Sequence, residues 1–178
     1  MSTLAAATPI PSASAAKAPP AYTDLTSASV SDVTDPNQKV LYNITAAGNI
    51  PLTADSYIKS KKVFGYAWIG DPSIIGDPNL FNATVVTFDR VPGTTSSWDA
   101  HTYELKDVDG TICVTAIGDP SIRTISITGN LLNATLNRSD VSVTQDNFAY
   151  ATTFELKVNK KACPELGVEL VGIGDPQI

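Results

Sequence analysis

Positive charge, glutamate, histidine and cysteine are all in short supply in this chain of 178 residues, and each shortage removes a class of function. Lysine and arginine together number 12 against 18 acidic residues, for a formal charge of −6. Tracking nucleic-acid phosphates requires clustered cations that displace counterions, so no nucleic-acid partner is expected. Glutamate occurs four times against fourteen aspartates, which removes a good helix former and supplies a turn former. Cys113 and Cys163 stand without a Cys-x-x-Cys pair or a Cys/His cluster, so no metal site is expected of them. No apolar run approaches the roughly 20 residues of a membrane-spanning helix, and no membrane partner is expected. Thr8, Pro9 and Pro11 break the one apolar run near the start, so no secretory signal is read there. The expectation is a cytoplasmic protein, unless it is processed or joins an assembled particle.

What is present points to one fold class. Hydrophobic residues make up 43%, enough for a sizeable core. Threonine, valine and isoleucine supply 48 residues, and β-branched side chains favour pleated surfaces. The chain is expected to be all-β. Its first twenty residues hold sixteen Ala, Pro, Ser or Thr and one charge, Lys17. Residues 1–26 therefore read as a flexible arm, and 27–178 as a single all-β domain.

Repetition is the strongest signal. Ile-Gly-Asp-Pro occurs four times, at 69–72, 75–78, 117–120 and 173–176. Leu-x-Asn-x-Thr occurs at 41–45, 80–84 and 131–135, and aromatic-Glu-Leu-Lys at 103–106 and 154–157. Tyr57 to Lys59 reads as a degenerate copy of the last. From Asn82 to Glu104 and from Asn133 to Glu155 the spacing is the same 22 residues, which marks duplication. Three units follow, at about 35–72, 77–120 and 119–176, in the range of repeats that bury a common core. In each corner Gly admits positive φ, Asp bonds its own backbone and Pro forces the preceding residue out of the helical region. Each corner is expected to end its strand.

Parity gives the faces. Phe64, Tyr66 and Trp68 share one side of their strand. Ile112, Val114 and Ala116 form the matching apolar face in the second unit, and Val168, Leu170 and Gly172 in the third. One buried side fits an antiparallel sheet. The same test buries Tyr42/Ile44, Phe81/Ala83 and Leu132/Ala134 and turns Asn43, Asn82 and Asn133 outward. The expected architecture is a closed, trefoil-like barrel of three related units, with a two-sheet antiparallel sandwich as second choice.

Several groups qualify as candidate chemistry. Asp71, Asp77, Asp119 and Asp175 recur at the corners, as turn residues or as a carboxylate ring for sugar hydroxyls or calcium. Asp107-Val-Asp109-Gly110 starts like a calcium loop, but Thr111 and Gly118 stand where ligands are needed, so a hairpin turn is expected. Trp98, Asp99 and the lone His101 suggest an acid–base pair beside an aromatic, without a nucleophile elbow nearby. Tyr66 and Trp68 are either core or a stacking platform at a barrel mouth. Asn43, Asn82, Asn133 and Asn137 lie in Asn-x-Ser/Thr acceptor sites for glycosylation, or are polar cross-strand residues copied by duplication. Cys113 and Cys163 could close a long loop as a disulfide worth ~4 kcal/mol.

These features favour a non-enzymatic binding module that holds a small ligand, a carbohydrate or an aromatic pigment, at a loop cluster or barrel mouth. The candidate ligand contacts are Tyr66, Trp68, Asp71, Asp77, Trp98, Asp99 and His101. No catalytic or metal-ligating residue and no cofactor is expected. A structural or assembly subunit (a capsid-decoration, shell or fibre protein) that uses its N-terminal arm and can self-associate is the alternative, and a hydrolase the weakest one.

Overall fold

Short stretches of alternating apolar and polar residues, separated by Asp, Asn, Gly and Pro, dictate strands joined by turns, and strands dominate the computed structural model. It describes residues 18–33, 38–71, 76–90, 97–121 and 123–177, with residues 175–177 described by their backbone alone. Residues 1–17 of the expected arm lie outside that range. The strands are β1 (Leu25–Val33), β2 (Lys39–Ala46), β3 (Val63–Gly70), β4 (Leu80–Asp89), β5 (Ser97–Val108), β6 (Thr111–Gly118), β7 (Arg123–Thr128), β8 (Leu131–Asn137), β9 (Phe148–Val158) and β10 (Val168–Gln177). The fold is all-β, as its composition indicates.

Two antiparallel sheets form. The smaller has the order β1-β2-β8-β7, and the larger runs β10-β6-β5-β4-β3-β9. The larger one curls round until β10 meets β6 at a single paired position, Glu169 opposite Cys113. The Cys113–Cys163 disulfide, with its Cα atoms 5.3 Å apart, ties the β9–β10 connection to β6 at this sparse seam.

There are two apolar cores, and β3 belongs to both. Ala67 and Ile69 face the inside of the larger sheet with Ala83, Val85, Tyr103, Leu105, Val114, Phe154, Leu156 and Leu170. Phe64, Tyr66 and Trp68 face the other way, against Val40, Tyr42, Ile44, Leu132, Ala134 and Leu136 of the smaller sheet. A strand covered on both faces has no need of a polar side, which explains the unbroken apolar run from Val63 to Ile69. Three hydrogen bonds cross this inter-sheet core: Tyr66 Oη donates to the Tyr22 carbonyl, Trp68 Nε1 to the Asn43 carbonyl, and Tyr42 Oη to the Val143 carbonyl.

Two packed antiparallel sheets match the sandwich expectation, and the strand order does not divide into three like lobes. The Leu-x-Asn-x-Thr copies in β2 and β8 pair with each other, Asn43 opposite Asn133, while the copy in β4 sits in the larger sheet opposite β5. The two aromatic-Glu-Leu-Lys copies meet across the larger sheet's interior, where the Tyr103 and Phe154 rings lie 6.1 Å apart. The repeated motifs thus stand at two different depths of the sandwich.

Three local expectations are corrected. Residues 21–26 are not a loose arm, because Tyr22 and Leu25 are buried and Leu25 opens an edge strand. Tyr57 to Lys59 is not a strand: Asp55 accepts the Ile58 N–H and caps a single helical turn, α1 (Ser56–Lys59). The last Ile-Gly-Asp-Pro does not end its strand. Gly174 takes φ +73°, and pairing with β9 resumes at Gln177 after the bulge. The Asp109–Gly110 turn does close the β5–β6 hairpin, with both residues at positive φ as a mirror-type turn requires.

Candidate functional site

Two polar regions emerge from this frame, one at the open end of the larger sheet and one on the outer face of the smaller. At the first, Ala83 and Val85 on β4 and Tyr103 and Leu105 on β5 point inward. The unbroken β4–β5 register carries the same parity to Thr87 and Asp89, and to His101 and Asp99. The inward face therefore changes from apolar to ionic at its end. His101 Nε2 lies 2.9 Å from Asp89 Oδ2, and Nδ1 lies 2.7 Å from Asp119 Oδ1. Thr87 Oγ1 donates to Asp89 Oδ1 at 2.6 Å. Arg123 sits on the smaller sheet's inner face, opposite Leu136, and reaches Asp99 with Nε at 2.5 Å and Nη2 at 3.0 Å.

The electrostatics of this cluster are set by the two carboxylates that face the imidazole. Burial pulls the His101 pKa down, but hydrogen bonds to Asp89 and Asp119 and their charges overcome it and hold the pKa above the ordinary histidine value. For Asp89, burial acts upward. Hydrogen bonds from His101 and Thr87, with the charges of His101 and Arg123, carry it below the usual carboxylate value. An imidazole that donates from both nitrogens has no lone pair to take a proton, and its partners are carboxylates rather than a nucleophile. Asp89, Asp99 and His101 each offer a ligand atom, all within 4.8 Å of one another.

The second region is read off the register of three strand pairs. Ser29, Asn43, Asn133 and Ser126 form one row across four strands. Ser31, Leu41, Thr135 and Thr124 form the row on one side of it, and Ser27, Thr45, Leu131 and Thr128 the row on the other. All twelve stand exposed or half-exposed, ten carry a hydroxyl or an amide, and none is charged. Strands spaced about 4.8 Å apart, with same-face residues about 6.7 Å apart along each, make this a regular grid.

The residues singled out from sequence scatter over the molecule. Tyr66 and Trp68 are fully buried between the sheets, so neither can stack on a ligand. Trp98 is parted from Asp99 and His101: it faces the inter-sheet core, stacks on Tyr66 at 5.6 Å and donates to the Pro51 carbonyl. Among the described residues the corner aspartates form no ring. The Asp71 N–H donates to the Asn147 carbonyl, Asp77 accepts the Asn79 N–H as a turn cap, and Asp119 holds His101. The Asp175 side chain lies outside the described residues. Of the four acceptor asparagines, Asn43 and Asn133 lie in the grid, Asn82 faces Glu104, and Asn137 donates to Ser139 Oγ at the end of β8.

Sequence reasoning missed Asp89, Thr87 and Arg123. The signal for the first two was the parity Val85-Val-Thr87-Phe-Asp89, which becomes informative once Phe88 is set opposite Trp98. Arg123 carries no such signal, because its contact crosses from one sheet to the other. No helix among the described residues is long and apolar enough to cross a membrane. No protein-family model, no curated protein and no solved structure matches the chain.

Proposed function

We propose that the protein is a non-enzymatic module that binds a neutral carbohydrate polymer on the outer face of its four-stranded sheet. The observation that supports this is the uncharged grid, with ten hydroxyl or amide side chains among its twelve positions. Ser, Thr and Asn both donate and accept, as sugar hydroxyls do. Three rows without an ion give up no ion hydration when they are covered. Single contacts of this kind are worth little, so binding depends on many of them lying in register along an extended ligand. The pigment version of a binding module has lost its aromatic platform to the core.

The Cys113–Cys163 disulfide supports an oxidising setting, where such polymers are met. The test is co-sedimentation with insoluble cellulose, chitin and β-glucan beside an acidic polymer. Retention by a neutral polymer, unchanged in ~1 M salt where the screening length is about 3 Å, is the expected result. Failure of all the neutral polymers to retain the protein would end the proposal.

A second reading rests on the two edges of the same sheet. β1 and β7 are its terminal strands, and an open edge is a template for pairing with another chain. An assembly subunit would use them, and sedimentation showing only monomer at micromolar concentration would remove this reading.

A further inference from the structure

We propose that Asp89, Asp99 and His101 form a binding site for one divalent cation of the zinc class, at the end of the larger sheet where their side chains are partly exposed.

Four observations carry this. The three ligand atoms lie within 4.8 Å of one another, so an ion placed among them would draw each in by a small side-chain movement. His101 Nε2 and Asp89 Oδ2, 2.9 Å apart, need to part by only about 0.5 Å to stand as two donors of a tetrahedral ion whose bonds are about 2.1 Å long. The other imidazole nitrogen, Nδ1, is already held by Asp119 Oδ1 at 2.7 Å, and a metal-binding histidine is oriented in this way by a carboxylate behind it. Thr87 Oγ1 occupies Asp89 Oδ1, which leaves Oδ2 directed at the histidine.

Charge supports the same assignment. The carboxylates of Asp89, Asp99 and Asp119 surround the His101 imidazole and face one guanidinium, that of Arg123, so negative charge is in excess. A divalent ion bound by the neutral imidazole brings the balance to zero. The side chains of Asp89 and Asp99 are each 30% exposed, enough for an ion to enter and for water to complete its coordination. One group stands in the way. Arg123 holds Asp99 through two contacts, so Asp99 must exchange a guanidinium for the metal, and Arg123 becomes the residue that sets affinity.

The experiment uses the full chain stripped with EDTA. It is titrated with Zn²⁺ by calorimetry and with Co²⁺ by visible absorption, with circular dichroism to show that each variant is folded. One ion per chain is expected, with uptake abolished in His101→Ala and in Asp99→Asn. Arg123→Gln, which frees Asp99, is expected to bind more tightly than the unaltered chain. Asp119→Asn, which keeps the shape but weakens the hold on Nδ1, is expected to lose about 10-fold in affinity. Absence of uptake in both the unaltered chain and Arg123→Gln overturns the proposal, as does uptake that persists undiminished in His101→Ala.

Discussion

The outer face of the four-stranded sheet and the open end of the larger one are both polar, and they are polar in opposite ways. The first spreads hydroxyls and amides over three rows without a single charge. The second gathers three carboxylates and a guanidinium about one imidazole, that of His101. Charges paired with one another hold elements together and admit a small ion only by exchange of a contact, whereas neutral groups pointing at water are free to meet a polymer. The comparison assigns presentation to the smaller sheet and cohesion to the larger.

The sharpest way to break this division is to remove what joins the two sheets. Trp68 is fully buried, packs on Tyr42 at 5.4 Å and donates to the Asn43 carbonyl. Trp68→Ala leaves an inter-sheet cavity and is expected to cost about 3 to 5 kcal/mol in denaturant unfolding. If the smaller sheet then melts while the larger keeps its slow-exchanging amides, the sheets are separable units. A single transition would show that the grid is only as stable as the core beneath it.

The next effect is confined to the larger sheet. Replacing both Cys113 and Cys163 by Ser removes the cross-link at a seam that has one paired position. The expected loss is about 2 to 4 kcal/mol. Hydrogen exchange should rise at β6 and β10 and stay unchanged at β2 and β8, and a uniform rise would contradict the placing of the seam.

The ionic end gives a smaller, pH-dependent effect in metal-free buffer. The Asp89 pKa is depressed in the fold, so its contribution is complete above the ordinary aspartate value of about 3.9 and is lost as the pH falls through its folded value. The His101 pKa is raised, so its contribution is complete below the ordinary value of about 6.5 and is lost as the pH rises through its folded value. Stability is therefore expected to be greatest between about pH 4 and 6.5. Because these groups are partly exposed, His101→Ala is expected to remove only about 1 kcal/mol there and to flatten the alkaline limb. An alkaline limb of unchanged slope in that variant would show that another group titrates.

How much of this was legible in the sequence depends on whether a feature is local. The inward faces of β2, β3 and β8 follow from parity, and Asn43 and Asn133 face outward as their alternation requires. The Asp109–Gly110 turn is fixed by two residues. The joining of β2 to β8 is not local: their identical motifs suggest equal places in a repeat, and only the paired register shows them as neighbours. Ser27, Ser29 and Ser31 alternate with Ala28 and Val30 as clearly as any strand. The Ala/Pro/Ser composition ahead of them hid the pattern by extending the arm to residue 26. Tyr66 and Trp68 looked like a platform because one covered face was expected, and β3 has two.

The smallest energetic effect is the one that bears most on function. Ser126 lies on β7, exposed, opposite Asn133 in the middle row of the grid. Ser126→Lys adds a charge at a surface position that touches no core, so its effect on stability should stay within about 0.5 kcal/mol. A lysine there also projects beyond its neighbours and keeps its own water shell, which a neutral polymer cannot replace. Retention on that polymer is expected to fall at least 10-fold while the unfolding curve stays in place. Glu104→Lys on β5, outside the grid, is the control and should leave retention unchanged. If both variants bind alike, the ligand does not meet the smaller sheet, and the neutrality of that face reflects duplication of the Asn-x-Thr strand rather than selection for a partner.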